Sequence, residues 1–184
     1  KTKEVDSTLR VFKNRTEVDK ADLMKGDMPV SDSEIAIDRM YADNNKLEIG
    51  DTLTVDNIEY KISGLIALSD YSALFQNPSD MMFDAVKFGV ALVTDDCFEN
   101  MDDTHIYYSY SWKYNNPPED PLGKEAKDMS SDFMKIAAHA GTLSNYIPRC
   151  TNQAINFTGD DMGGDKAMIT AFLYIVVIII AFIF

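Results

Sequence analysis

From Ala167 to Phe184 the chain runs "AMITAFLYIVVIIIAFIF", eighteen residues without a charge, and all thirty acidic and seventeen basic side chains precede that run. As a helix, eighteen residues rise about 27 Å at ~1.5 Å each, close to the ~30 Å hydrocarbon core of a bilayer. A helix in lipid satisfies its own backbone groups, and Thr170 and Tyr174 are the only polar side chains of the run. A buried helix of a soluble domain seldom goes this far uncharged, because one flank usually meets water. The expectation is that 167–184 is the start of a transmembrane helix. It is not a signal peptide, since it lies at the wrong end and follows no basic region. The run stops on Phe184 without a polar exit and Lys1 opens no start signal, so the sequence reads as a fragment of a longer membrane protein.

Residues 1–166 then stand in water. That length can form one domain and bury about two-thirds of its unfolded surface. The proline-rich stretch at 115–123 marks where it would break into two subdomains. The net charge of −13 argues against nucleic acid, whose phosphates it would repel, and against docking on anionic lipid. Cys97 and Cys150 are the only cysteines. They read as two free buried thiols, with a single disulfide open if the domain is extracytoplasmic.

Hydropathy patterning predicts an α+β fold with a mixed, mostly antiparallel sheet, one long helix and short helical turns, followed by a transmembrane helix. "STLRVFKNR" alternates Leu9 and Val11 with polar neighbours and is predicted as a strand. "DLMKGDMPVSDS" is predicted as a loop from Gly26, Pro29 and its Ser/Asp cluster. "EIAID" is a short strand and "RMYADNN" two helical turns, ended by Asn44 or Asn45 in left-handed geometry. After a Gly50-Asp51 turn, Leu53 and Val55 alternate, then Ile58, Tyr60 and Ile62. Asp56-Asn57 between them suits a tight hairpin turn. "GLIAL" and "VKFGVALVTDD" are nearly continuous apolar runs, as in central strands, with Asp95 or Asp96 capping the short helical turn "CFENM". In "THIYYSYSWKYNN", Ile106, Tyr108, Tyr110, Trp112 and Tyr114 share one face of a predicted strand. Met129, Phe133, Ile136, Ala137 and Ala140 recur at helical spacing over 124–140, with Asp120-Pro121 as the start signal and Gly141 as the stop. "LSNYIPRCTNQAINF" is expected to be extended, and "TGDDMGGDK", with Gly163 and Gly164, a hinge before the membrane.

No catalytic pattern stands out. "GDDMGGDK" places Asp165 where a phosphate-binding loop needs lysine, and its aspartates would repel phosphate. His105 and His139 sit in no HExxH or CxxC context, so neither zinc nor a serine triad is supported, and no cofactor is expected. Asp95, Asp96, Glu99, Asp102 and Asp103 lack the spacing of a calcium loop and read as a solvated turn. The 106–114 aromatic stripe could contact a sugar or peptide, but its favoured reading is the core face of a half-buried strand. "DYSALFQNPSDMMFDAVKF" places Tyr71, Phe75, Met81, Met82 and Phe83 in an irregular segment, where apolar side chains either pack under the domain or meet a partner.

"EIAIDRMYADNNKLEIGDTLTVDNIEYKISGLIALSDYSALF", then "FGVALVT", then an apolar span, resembles the extracytoplasmic domain of FtsX-like permeases of ABC transporters, the MacB-type group. The resemblance rests on Glu34 to Asp38, Leu47 to Thr54, Tyr60 to Leu68 and Asp70 to Phe75. It covers roughly 24–184 and is strongest over 33–94. It implies a cell-membrane permease subunit with 1–166 outside the cytoplasm and 167–184 starting the second helix. The permease itself is then not an enzyme, and a separate cytoplasmic ATPase subunit hydrolyses ATP. The implied partners are that ATPase, a second permease copy or homologue, the lipid bilayer, and an extracellular substrate or protein reached through Tyr71, Phe75, Met81, Met82 and Phe83. The alternative is a single-pass membrane-anchored extracellular binding protein or enzyme that uses Tyr110 and Trp112.

Overall fold

The computed structural model describes residues 2–77, 80–101, 106–141, 145–152 and 167–180. The seven strands are β1 (Thr2–Lys3), β2 (Thr8–Lys13), β3 (Ala21–Gly26), β4 (Glu34–Asp38), β5 (Thr52–Val55), β6 (Ile58–Leu68) and β7 (Phe88–Val93). They form one sheet in the order β1-β5-β6-β4-β7-β2, with β3 also paired to β6. The α+β class stands. The sheet is not mostly antiparallel, however: β1–β5, β4–β6 and β2–β7 pair parallel, and β3–β6, β5–β6 and β4–β7 antiparallel. Antiparallel neighbours announce themselves through short turns, whereas parallel ones need long crossovers that leave no local mark.

β6 organises the sheet. Its Lys61 pairs with Thr52 of β5 and Glu34 of β4, and its Gly64 with Gly26 of β3 and Ala36 of β4. β5 and β3 therefore share one edge of β6, and β4 takes the other. Every residue of β7 is buried, which explains its unbroken apolar run, and so is all of β4 but Glu34, including the Asp38 carboxylate. The core is Ile35, Ile37, Leu53, Ile62, Ile66, Leu68, Phe88, Val90, Leu92 and Val93, with Tyr41 packed on it.

Local signals set the connections. Asp56 and Asn57 take φ of 48° and 63°, the left-handed pair a two-residue hairpin needs. α1 (Arg39–Asn45) starts where the Asp38 carboxylate accepts the Tyr41 N–H at 3.0 Å. Its left-handed terminal residue is Lys46 (φ 55°), not Asn44 or Asn45, whose side chains instead donate to the Met40 and Tyr41 carbonyls. The short α2 (Asp95–Glu99) is capped by the Thr94 hydroxyl, 3.1 Å from the Cys97 N–H, rather than by Asp95 or Asp96.

Four expectations need larger correction. "DLMKG" is most of strand β3, because its glycine permits close approach to β6 instead of breaking the strand. Residues 106–114 lie in no sheet. α3 (Lys124–Ala140) has the predicted bounds, but Gly123 occupies its cap position, and Asp120 accepts the Leu122 N–H at 2.9 Å within the preceding turn. Residues 145–152 hold a single 3-10 turn, Arg149–Thr151, where extended chain was expected. Residues 167–180 form a helix, α4. Among the described residues no helix is long and apolar enough to cross a membrane.

Candidate functional site

The chain leaving β6 is pinned to β2 by two arginines. Arg10 donates to Tyr71 Oη at 2.8 Å and to the Gln76 carbonyl at 3.0 Å. Arg15 donates to Asp70 Oδ2 at 2.8 Å, with its guanidinium 4.3 Å from the Phe12 ring centre. The Tyr71 ring meets Phe12 at 5.8 Å and Phe88 at 6.3 Å. Phe75 is 7% exposed and meets Phe83 edge-on at 5.7 Å. Met81 and Met82 are 95% and 84% exposed.

The five residues expected to share a contact surface therefore separate. Tyr71, Phe75 and Phe83 pack inward and hold the segment down, whereas Met81 and Met82 project from it. Composition could not sort them, since all five are apolar residues of one irregular stretch. Gly163 and Gly164, the expected hinge, lie outside the described residues, as do Asp102, Asp103 and His105.

Asp70 is the electrostatic pressure point of this segment. Its side chain is 19% exposed and its Oδ1 is buried with no hydrogen-bond partner. Burial pushes its pKa up, against the pull of the Arg15 charge and hydrogen bond, and Asp19 nearby adds to the rise. A carboxyl whose folded pKa is raised binds its proton more tightly folded than unfolded. Its penalty is therefore fully present above the folded pKa and is relieved as pH falls through it towards the unfolded value of ~3.9. Urea unfolding of wild type and Asp70→Asn at neutral pH and near pH 4 checks this, because the remaining carboxylates cancel in the difference. The wild type is expected to gain stability relative to the variant on acidification. A relative loss would mean that the Arg15 pair outweighs burial.

Other chemistry-bearing groups do not converge. Among the described residues no three His, Cys, Asp or Glu side chains gather as for a metal ion. Asp95, Asp96 and Glu99 face solvent on α2, and Glu99 lies 3.9 Å from Lys13. Cys97 is a free, buried thiol that donates to Tyr60 Oη at 3.8 Å. Burial, with Cys97 second, pushes the Tyr60 phenol up to about 12, so it stays neutral. A cleft of about 360 Å³ is lined by Asp27, Met28, Val30, Glu34, Ile49 and Lys61 among others, and holds no nucleophile paired with a base.

Beyond the sheet, Trp112 stacks on Phe133 of α3 at 4.4 Å and on Tyr146 at 5.6 Å. The Tyr146 hydroxyl donates to the Ser130 carbonyl at 2.7 Å. Tyr108 and Tyr110 of the stripe are 82% and 83% exposed, so the stripe is not a core face, and Tyr107 beside them is 87% exposed. No family model, curated protein or solved structure matches the chain.

Proposed function

We propose that this chain is the outer domain of an ABC-transporter permease of the FtsX-like, MacB-type group, together with the beginning of the membrane helix that follows it. The reading is supported first by α4. Over 167–180 its side chains are uncharged, and all but Val176 are exposed, an arrangement that water penalises and acyl chains do not. The sequence resemblance supports the permease assignment specifically. Its stretches occupy β4, the approach to β5, β6 and the arginine-pinned turn, which are neighbours in one body. On this reading the domain's work is mechanical: β6 and the arginine clamp hold the segment that presents Met81 and Met82 to an outer partner. ATP hydrolysis belongs to a separate cytoplasmic subunit.

The test is alkaline carbonate extraction of the full chain expressed in cells, against a Leu173→Lys/Val177→Lys variant. Each lysine at mid-membrane costs about 2.5–3.5 kcal/mol. The unaltered chain is expected to stay with the membrane pellet and the variant to be extracted. An unaltered chain that is extracted as a monomer would sink the reading.

A further inference from the structure

The two longest carboxylate-free runs before residue 167 are 104–118 and 133–159, in a chain of net charge −13. The fold brings them together. Trp112 of the first stacks between Phe133 and Tyr146 of the second, at 4.4 Å and 5.6 Å. Among the described residues, this contact joins two stretches whose side chains include aromatic, aliphatic and cationic groups and no carboxylate. Their charges are Lys113, Lys135 and Arg149. Lys113 lies 4.0 Å from Glu17 and Lys135 2.8 Å from Asp132, both acids outside the runs.

This face is poorly covered. α3 buries only Ala126 fully, while Ile136 and Met134 on it are exposed. Tyr107, Tyr108 and Tyr110 project almost completely, from a backbone that joins no sheet. A water-facing surface seldom carries so many large apolar groups in one place. Tyrosine and tryptophan, with one apolar and one polar end, are the residues that settle at the boundary of acyl chains and headgroups. An anionic headgroup layer would repel most of this acidic domain and would not repel this face. Chain connectivity keeps the face close to lipid: residues 153–166 span at most about 50 Å when fully extended, between Asn152 and the apolar helix.

We propose that the face built on Trp112, Phe133 and Tyr146, with Tyr107, Tyr108 and Tyr110 projecting from it, docks on the headgroup layer of the same bilayer that residues 167–184 enter. The inference rests on the permease reading, because it needs the membrane to be there. Docking would fix the tilt of the domain over the membrane and so the direction in which Met81 and Met82 point.

Trp112 is the only tryptophan, so its fluorescence reports this face alone. The full chain is reconstituted in vesicles of phosphatidylcholine and phosphatidylglycerol, with and without acyl chains brominated near the headgroup. Brominated lipid is expected to quench Trp112. The Tyr107→Ser/Tyr108→Ser/Tyr110→Ser variant, altered only at exposed positions, is expected to remain in the vesicles and lose most of the quenching. A chain that stays in the vesicles with Trp112 unquenched overturns the docking and leaves the permease reading standing. A chain that never enters them overturns both. Emission that shifts with protein density but ignores bromine identifies a second copy on the face, and quenching that survives the triple substitution removes the tyrosines' role. Either result overturns the proposal as stated.

Discussion

Replacing Gly26 with alanine is expected to lower the unfolding free energy by about 2–6 kcal/mol, from a positive-φ cost of ~1–3 and an overpacking cost of ~1–3. Gly26 has φ +77°, and a Cβ there would fall onto the Ser63 carbonyl oxygen, 2.7 Å from Ile49 Cδ1. The opposed Gly64 is equally tight, since its Cβ would fall onto the Asp27 carbonyl oxygen with Leu23 Cδ1 at 3.1 Å. Backbone atoms cannot swing aside as side chains do, and the Asp27 N–H already donates to the Ser63 carbonyl at 3.0 Å. Relief would need β3 to part from β6, the strand that leads into the arginine-pinned turn. Gly50 supplies the control: its φ is +91° but nothing lies near its Cβ, so alanine there meets only the backbone cost, roughly 1–2 kcal/mol. Urea unfolding of Gly26→Ala, Gly64→Ala and Gly50→Ala separates the terms. Equal losses for Gly26→Ala and Gly50→Ala would mean that the β3–β6 approach is looser than the structure has it.

The same glycine shows what the sequence could and could not reveal. Gly26 reads as a breaker beside Pro29, yet it is the residue that lets β3 come up against Gly64. Local patterns were legible because their causes are local. Asp56-Asn57 names its own hairpin, and the 124–140 spacing names α3. The parallel pairing of Thr8 with Phe88 joins segments eighty residues apart, and nothing in either stretch encodes it. Periodicity tells which residues share a face, not whether anything covers it. Val90 and Leu92 are buried in β7, while Tyr108 and Tyr110, on an even clearer alternation, stand in the open. The candidate site was half legible for the same reason: the apolar content of 70–88 flagged it, but only tertiary packing puts Phe75 inside and Met82 outside.

A second large effect is expected where α1 crosses β7. Tyr41 is 1% exposed, and its ring lies so close over Gly89 that a Cβ there would sit 2.5 Å from Tyr41 Cγ and 2.6 Å from Cδ2. Its hydroxyl shares a 2.7 Å hydrogen bond with Ser7 Oγ, just before β2. Tyr41→Ala empties this site and is expected to cost about 3–5 kcal/mol, as for other buried aromatics. Gly89→Ala overpacks it and is expected to cost about 1–3 kcal/mol. The double variant distinguishes a shared cause from two separate ones. With the ring gone, the new methyl enters vacated space, so Gly89→Ala should become nearly neutral and the coupling should approach the upper end of the ~0.5–3 kcal/mol seen for touching residues. Tyr41→Phe isolates the hydroxyl, at about 1 kcal/mol. Additive single costs would show that α1 does not seat on Gly89. Strong coupling would tie the seat of α1 to β7 and, through Ser7, to the start of β2, whose Arg10 holds Tyr71 and Gln76 in place.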